Sequence, residues 1–123
     1  MINKIPGNLI PYDKTDEIAK KILSVLNPND LPPLEMWKEL TVLNKDSVIQ
    51  LIKNSLSKNY YLLYTYYLKK ILHRVFLAEK EEVIKFLNDN FDEEWDEGMD
   101  IIIADSNYET IIMGNHDGVL LKR

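Results

Sequence analysis

A chain of 123 residues, 46% hydrophobic and 28% charged with a net charge of −5, is long enough for one self-sufficient core and short for more than one domain. The absence of cysteine excludes disulfides, thiolate metal sites and cysteine nucleophiles, and no apolar window approaches the ~18–20 residues that a membrane-spanning helix needs. No basic segment leads into an apolar run at the N-terminus, so the expectation is a cytoplasmic protein without a membrane partner, and the abundance of Ile, Lys and Asn points to an AT-rich bacterial or phage genome.

Residues 1–12 contain Pro6-Gly7 and Pro11, which predict an extended lead-in rather than a regular element. Asp13 or Thr15 can cap a helix running to Leu26, because Ile18, Ile22, Val25 and Leu26 share one face and Asn27-Pro28 stops the run. Pro32-Pro33 open a second helix over 33–43, where proline removes only N–H groups that would be unpaired anyway, and Leu34, Met36, Trp37, Leu40 and Leu43 keep helical spacing. Asn44 to Ser47 supply a break and a fresh cap, after which Val48, Ile49, Ile52 and Leu56 predict a third helix ending near Ser57.

Five of the seven tyrosines fall within residues 59–78. Tyr and Thr favour strands, so strands are predicted at 60–67 and 72–78. A helix stays open as an alternative, since Tyr60, Tyr64, Tyr67 and Ile71 are helically spaced and neither glycine nor proline marks a turn. Residues 79–91 predict a helix with Glu79, Glu81 and Glu82 in its first turn, complementing the dipole, and with Val83, Ile84, Leu87 and Phe91 as its buried stripe. An acidic loop at 92–98 carries an exposed Trp95.

Apolar strands at 100–104, 109–113 and 119–122 follow, with hairpin turns at Asp105-Ser106-Asn107 and at Gly114 to Gly118. Their apolar residues are consecutive rather than alternating, which requires both sheet faces to be covered, by helices or by a second copy of the chain. The expected fold is therefore a single α+β domain over 1–123. Three N-terminal helices precede a mostly antiparallel sheet that has one further helix at 79–91 and a C-terminal β-meander.

Charge is segregated along the chain. Residues 47–78 hold Lys53, Lys58, Lys69, Lys70 and Arg74 without an acid, whereas residues 79–109 hold twelve acids against Lys80 and Lys85, a local balance of −10. Aromatics interleaved with Lys69, Lys70, His73 and Arg74 resemble a base-stacking platform, but the acidic pI of about 5.0 argues against a nucleic-acid partner. No serine sits in a nucleophile elbow and no glycine-rich phosphate loop is present.

Gly114-Asn115-His116-Asp117 resembles the metal-binding signature of calcineurin-like metallophosphoesterases, a resemblance that implies metal ligation by Asn115 and His116 at a strand end. The companion motifs of that family are missing, and His73 is the one other histidine. Asn, Asp and Gly are also what a tight hairpin requires. A small metal-dependent hydrolase using Asn115, His116 and Asp117 is thus the enzymatic alternative. The main reading has no catalytic residue, no metal and no cofactor.

That reading rests on Asp92, Glu93, Glu94, Trp95, Asp96 and Glu97. Tryptophan is enriched among interface hot spots, and a carboxylate cluster steers a basic partner. A small, acidic, cysteine-free chain of this kind resembles bacterial immunity proteins that neutralise toxin nucleases, and its ending in a strand, an Asn-His-Asp turn and a final strand resembles bacterial domains of unknown function. The resemblance implies a non-enzymatic module with a basic protein partner. A self-associating structural protein, dimerising through the tyrosine segment, is the third reading.

Overall fold

The computed structural model describes residues 5–64 and 74–123. The elements run β1 (Asn8–Leu9), α1 (Tyr12–Leu26), α2 (Pro33–Lys38), β2 (Thr41–Leu43), α3 (Lys45–Asn54), β3 (Asn59–Tyr64), β4 (Val75–Glu79), α4 (Lys80–Asn90), β5 (Ile101–Asp105), β6 (Ile111–Gly114) and β7 (Leu120–Lys122). The strands among the described residues join one antiparallel sheet in the order β1-β4-β3-β5-β6-β7-β2. The fold is α+β.

Both sheet faces are covered by helices, as the consecutive apolar residues require. Strand alternation sends Ile101 and Ile103 of β5 to one face, where Val48 and Ile52 of α3 and Val83 and Leu87 of α4 pack. Ile102 and Ala104 point to the other face, beneath Ala19, Ile22 and Leu26 of α1 and Met36 of α2. β5 therefore has no exposed side chain. At about 25 cal/mol per Å² of apolar surface removed from water, burying an isoleucine side chain is worth roughly 1.5–3 kcal/mol, which makes this strand the spine of the core.

α4 forms where its sequence pattern is least ambiguous. Glu79 stands at the N-cap, its N–H donates to the Glu82 carboxylate at 3.0 Å, and Glu81 and Glu82 lie in the first turn. α3 is capped by Asn44, whose side-chain oxygen accepts from the Ser47 N–H at 2.7 Å.

The N-terminal third departs from three uninterrupted helices. β1 lies within the expected lead-in and pairs with β4, while β2 separates α2 from α3 and pairs with β7. The helix expected over 33–43 stops at Lys38, because Thr41, Val42 and Leu43 gain ladder hydrogen bonds from a strand that follows in sequence about eighty residues later. α1 begins after Pro11, and Thr15 is no cap. It is buried, with its hydroxyl donating to the Pro11 carbonyl at 3.3 Å. α3 ends at Asn54 because Ser55 turns extended, which leaves Leu56 at 99% exposure instead of on the buried stripe. Of the tyrosine-rich segment, 60–64 and 75–78 are strand and Arg74, expected in the second strand, precedes it, while the expected strand positions 65–67 and 72–73 and the basic residues Lys69, Lys70 and His73 lie outside the described residues.

Candidate functional site

The strand order brings two loops together at one end of the sheet. The 92–100 segment links α4 to the start of β5, and the 115–119 turn links the end of β6 to the start of β7. Ile101 pairs with Gly114 and Gly114 with Leu120, so both loops leave the sheet side by side. Their backbones touch. A Cβ on Gly118, which has φ +84°, would meet the carbonyl oxygens of Glu97 at 2.6 Å and Asp92 at 2.8 Å, and one on Gly98 would meet the Asn115 carbonyl. Two glycines thus permit a contact that any side chain would prevent.

The acidic loop is held by its own backbone. Asp92 and Glu97 exchange N–H···O bonds of 2.7 and 2.9 Å, Asp92 Oδ1 accepts from the Glu94 N–H at 3.0 Å, and Asp96 takes a left-handed φ of 52°. The consequence is a closed turn that projects Trp95, 72% exposed, between Glu94 and Asp96. The Lys45 ammonium donates to the Phe91 carbonyl at 3.0 Å and ties the loop's base to α3. A shallow depression here is lined by Asn44, Lys45 and Asp46 on one side and by Asp92, Glu93 and Glu94 on the other.

The six residues singled out in the sequence, Asp92, Glu93, Glu94, Trp95, Asp96 and Glu97, therefore share one projecting turn. Its acidic surroundings are wider than the sequence implied, since Asp46, Asp100 and Asp117 belong to the same pole. Asp46 follows the α3 cap, a helix-start signal that carries no information about distant neighbours. Asp100 and Asp117 are brought together by the pairing of β5 with β6.

The Gly114–Gly118 string is organised as a turn. Asn115 Oδ1 accepts from the N–H groups of Asp117 at 2.9 Å and Val119 at 3.0 Å, so its carbonyl oxygen is engaged by the main chain. His116 stands out in solvent. Its backbone N–H donates to Asp100 Oδ1 at 3.1 Å, its Nδ1 lies 3.2 Å from the same oxygen, and its Nε2 lies 3.6 Å from Asp117 Oδ1. The Asp100 hydrogen bond, with the negative charges of Asp117 and Asp100, holds the imidazole pKa above the ordinary histidine value. A ring that favours its proton is a poorer metal ligand than a neutral one. Among the described residues no group of three or more His, Cys, Asp or Glu is placed to hold a metal ion.

A second concavity, an apolar cleft of about 570 Å³, opens between α1, α2 and the sheet over Leu26, Leu31, Met36, Trp37, Ile102 and Met113. Asn27 on its rim is engaged within the chain, giving and taking hydrogen bonds with the Leu31 backbone at 2.9 and 3.0 Å. No family model, curated protein or solved structure matches the chain.

Proposed function

We propose that the protein is a non-enzymatic binding module that presents its acidic pole to a basic protein partner, in the manner of an immunity or antitoxin protein. The observation that carries this reading is the closed 92–97 turn, which displays Trp95 at 72% exposure amid carboxylates and is braced against the 115–119 turn. Exposing a large aromatic side chain costs apolar hydration, and a preformed loop loses little conformational entropy when a partner docks. An aromatic anchor within a like-charged rim fits a partner surface with a pocket ringed by Lys and Arg.

Affinity capture from the native host tests the reading. The wild-type chain is expected to retain a basic protein at low salt. Glu93→Gln/Glu94→Gln/Asp96→Asn/Glu97→Gln should slow its association several-fold, and Trp95→Ala should accelerate its release by tenfold or more. Capture indifferent to both changes would remove the acidic turn from the interface.

The alternative hydrolase reading draws on Asn115, His116 and Asp117, which share one turn. Calorimetric titration with Zn²⁺ or Mn²⁺ addresses it, and the absence of heat would end it.

A further inference from the structure

We infer that the apolar cleft between α1 and α2 is a binding site for a small cationic amphiphile, an alkyl- or arylammonium whose hydrocarbon body fills the cleft and whose head meets the Asp30 carboxylate. This inference is independent of the acidic-pole reading and shares no residue with it.

α1 and α2 cover one sheet face, and the cleft opens where the 27–32 linker joins them. Ile102 and Met113 form its floor, and Met36 and Trp37 stand on its α2 wall. Met36 is buried whereas Trp37 is 39% exposed, so that wall runs from the core out to the mouth. The volume of about 570 Å³ falls within the roughly 300–1,000 Å³ of sites that enclose small molecules, and like them the cleft is mostly apolar.

The linker fixes the shape of the mouth. Asn27 gives and takes hydrogen bonds with the Leu31 backbone at 2.9 and 3.0 Å, and the Asp30 N–H donates to the Asn27 carbonyl at 3.1 Å. Pro28, Pro32 and Pro33 restrict the backbone along the same stretch. A concavity formed before its ligand arrives loses little conformational entropy on binding.

The polar groups of the lining choose the occupant. Asn27 is turned to Leu31, and the Ser24 hydroxyl donates to the Lys21 carbonyl at 2.8 Å. Among the described residues Asp30 is the one charged group of the lining, and its carboxylate engages no other group of the chain. No lysine or arginine of the described residues lines the cleft to receive an anion. A ligand with a carboxylate or phosphate head would bring like charge to Asp30, whereas an ammonium head brings the opposite charge. Trp37 borders the same cleft, and an indole attracts an ammonium more strongly than other aromatic side chains do. An apolar interior with one unpaired carboxylate at its mouth thus matches a hydrocarbon body with one positive end.

Decylammonium, decanol and decanoate carry one hydrocarbon chain under three head charges, and calorimetric titration of each into the full chain below micellar concentration tests the inference. In Trp95→Phe, Trp37 is the remaining tryptophan, so its emission reports on the cleft in parallel. Decylammonium should bind about fivefold or more tighter than decanol, and decanoate more weakly than either. Asp30 takes a left-handed φ of 49°, which asparagine tolerates as aspartate does, so Asp30→Asn should fold as the wild type and bind the ammonium no better than the alcohol. Ser24→Phe places a ring in the cleft and should abolish binding of all three probes with an unchanged circular dichroism spectrum. Failure of every probe to bind would overturn the cleft as a site. Ammonium binding that survives Ser24→Phe would do the same, by assigning the cation to the acidic pole. Equal affinity for the three heads, or a preference for ammonium that survives Asp30→Asn, would overturn Asp30 as the group that selects a cation.

Discussion

Asp105 shows what a single buried carboxylate can organise. Only 2% of its surface is exposed, yet its oxygens are supplied with donors: Ser57 Oγ at 2.9 Å, the Glu109 N–H at 2.6 Å and the Thr110 N–H at 3.0 Å. It thereby closes the β5–β6 turn, in which Tyr108 is held at a left-handed φ of 58°, and fastens that turn to the segment after α3. Asp105→Ala should lower unfolding free energy in urea by about 3 kcal/mol, because three donors lose their acceptor. Asp105→Asn, which keeps one acceptor oxygen, should cost less. Equal losses for the two variants would show that the single oxygen kept by asparagine does not hold the turn. His116 is the contrasting case, a titrating group in open solvent. Its raised pKa means that the folded state favours the proton. Its contribution to stability is present below the ordinary histidine pKa and fades as pH rises through the folded value. Its imidazole resonances should titrate above the ordinary midpoint, and Asp100→Asn should move that midpoint down. A midpoint insensitive to Asp100→Asn would discard the hydrogen bond as the cause.

At the level of elements, the loop-to-loop contact depends on Gly118. Gly118→Ala would combine a positive φ with contacts on the Glu97 and Asp92 carbonyl oxygens, and should cost about 2 kcal/mol of stability. Amide exchange should accelerate first at Asp92, Glu97 and Val119, and uniform acceleration would mean that the two loops are not specifically joined. The elements that could be read in the sequence were those whose determinants are local. α4 has its glutamates, its cap and its apolar stripe within one stretch, and the acidic turn has its six residues in a row. β2 was not legible, because Leu40, Thr41, Val42 and Leu43 continue the helical spacing of Leu34 and Trp37, and only pairing with distant β7 selects the strand. β1 was hidden in a proline-flanked lead-in for the same reason, its partner being β4. The acidic residues were visible, but their union with Asp100, His116 and Asp117 was not, since a side-by-side exit from β5 and β6 is a property of sheet register.

Across the whole molecule, the apolar core does not require the acids to be gathered at one pole. The core is apolar and fully layered, and the chain could bury it with its acids spread evenly. Instead Asp92, Glu93, Glu94, Asp96 and Glu97 crowd one turn, with Asp46, Asp100 and Asp117 on the same pole. Like charges a few ångströms apart in water repel by roughly 1 kcal/mol at most per pair, and salt screens that repulsion over about 8 Å at physiological ionic strength. The pole should therefore weaken the isolated protein modestly. Glu93→Gln/Glu94→Gln/Glu97→Gln should raise the melting temperature by about 2–6 °C at low ionic strength. The advantage should shrink as salt is added, because the wild-type protein gains more from screening. If the neutralised variant melts lower, the carboxylates support the turn through their own contacts and their crowding is explained by structure alone. If it melts higher, the repulsion is a stability cost that the fold does not require, the outcome expected of the proposed binding role for the turn that carries Trp95.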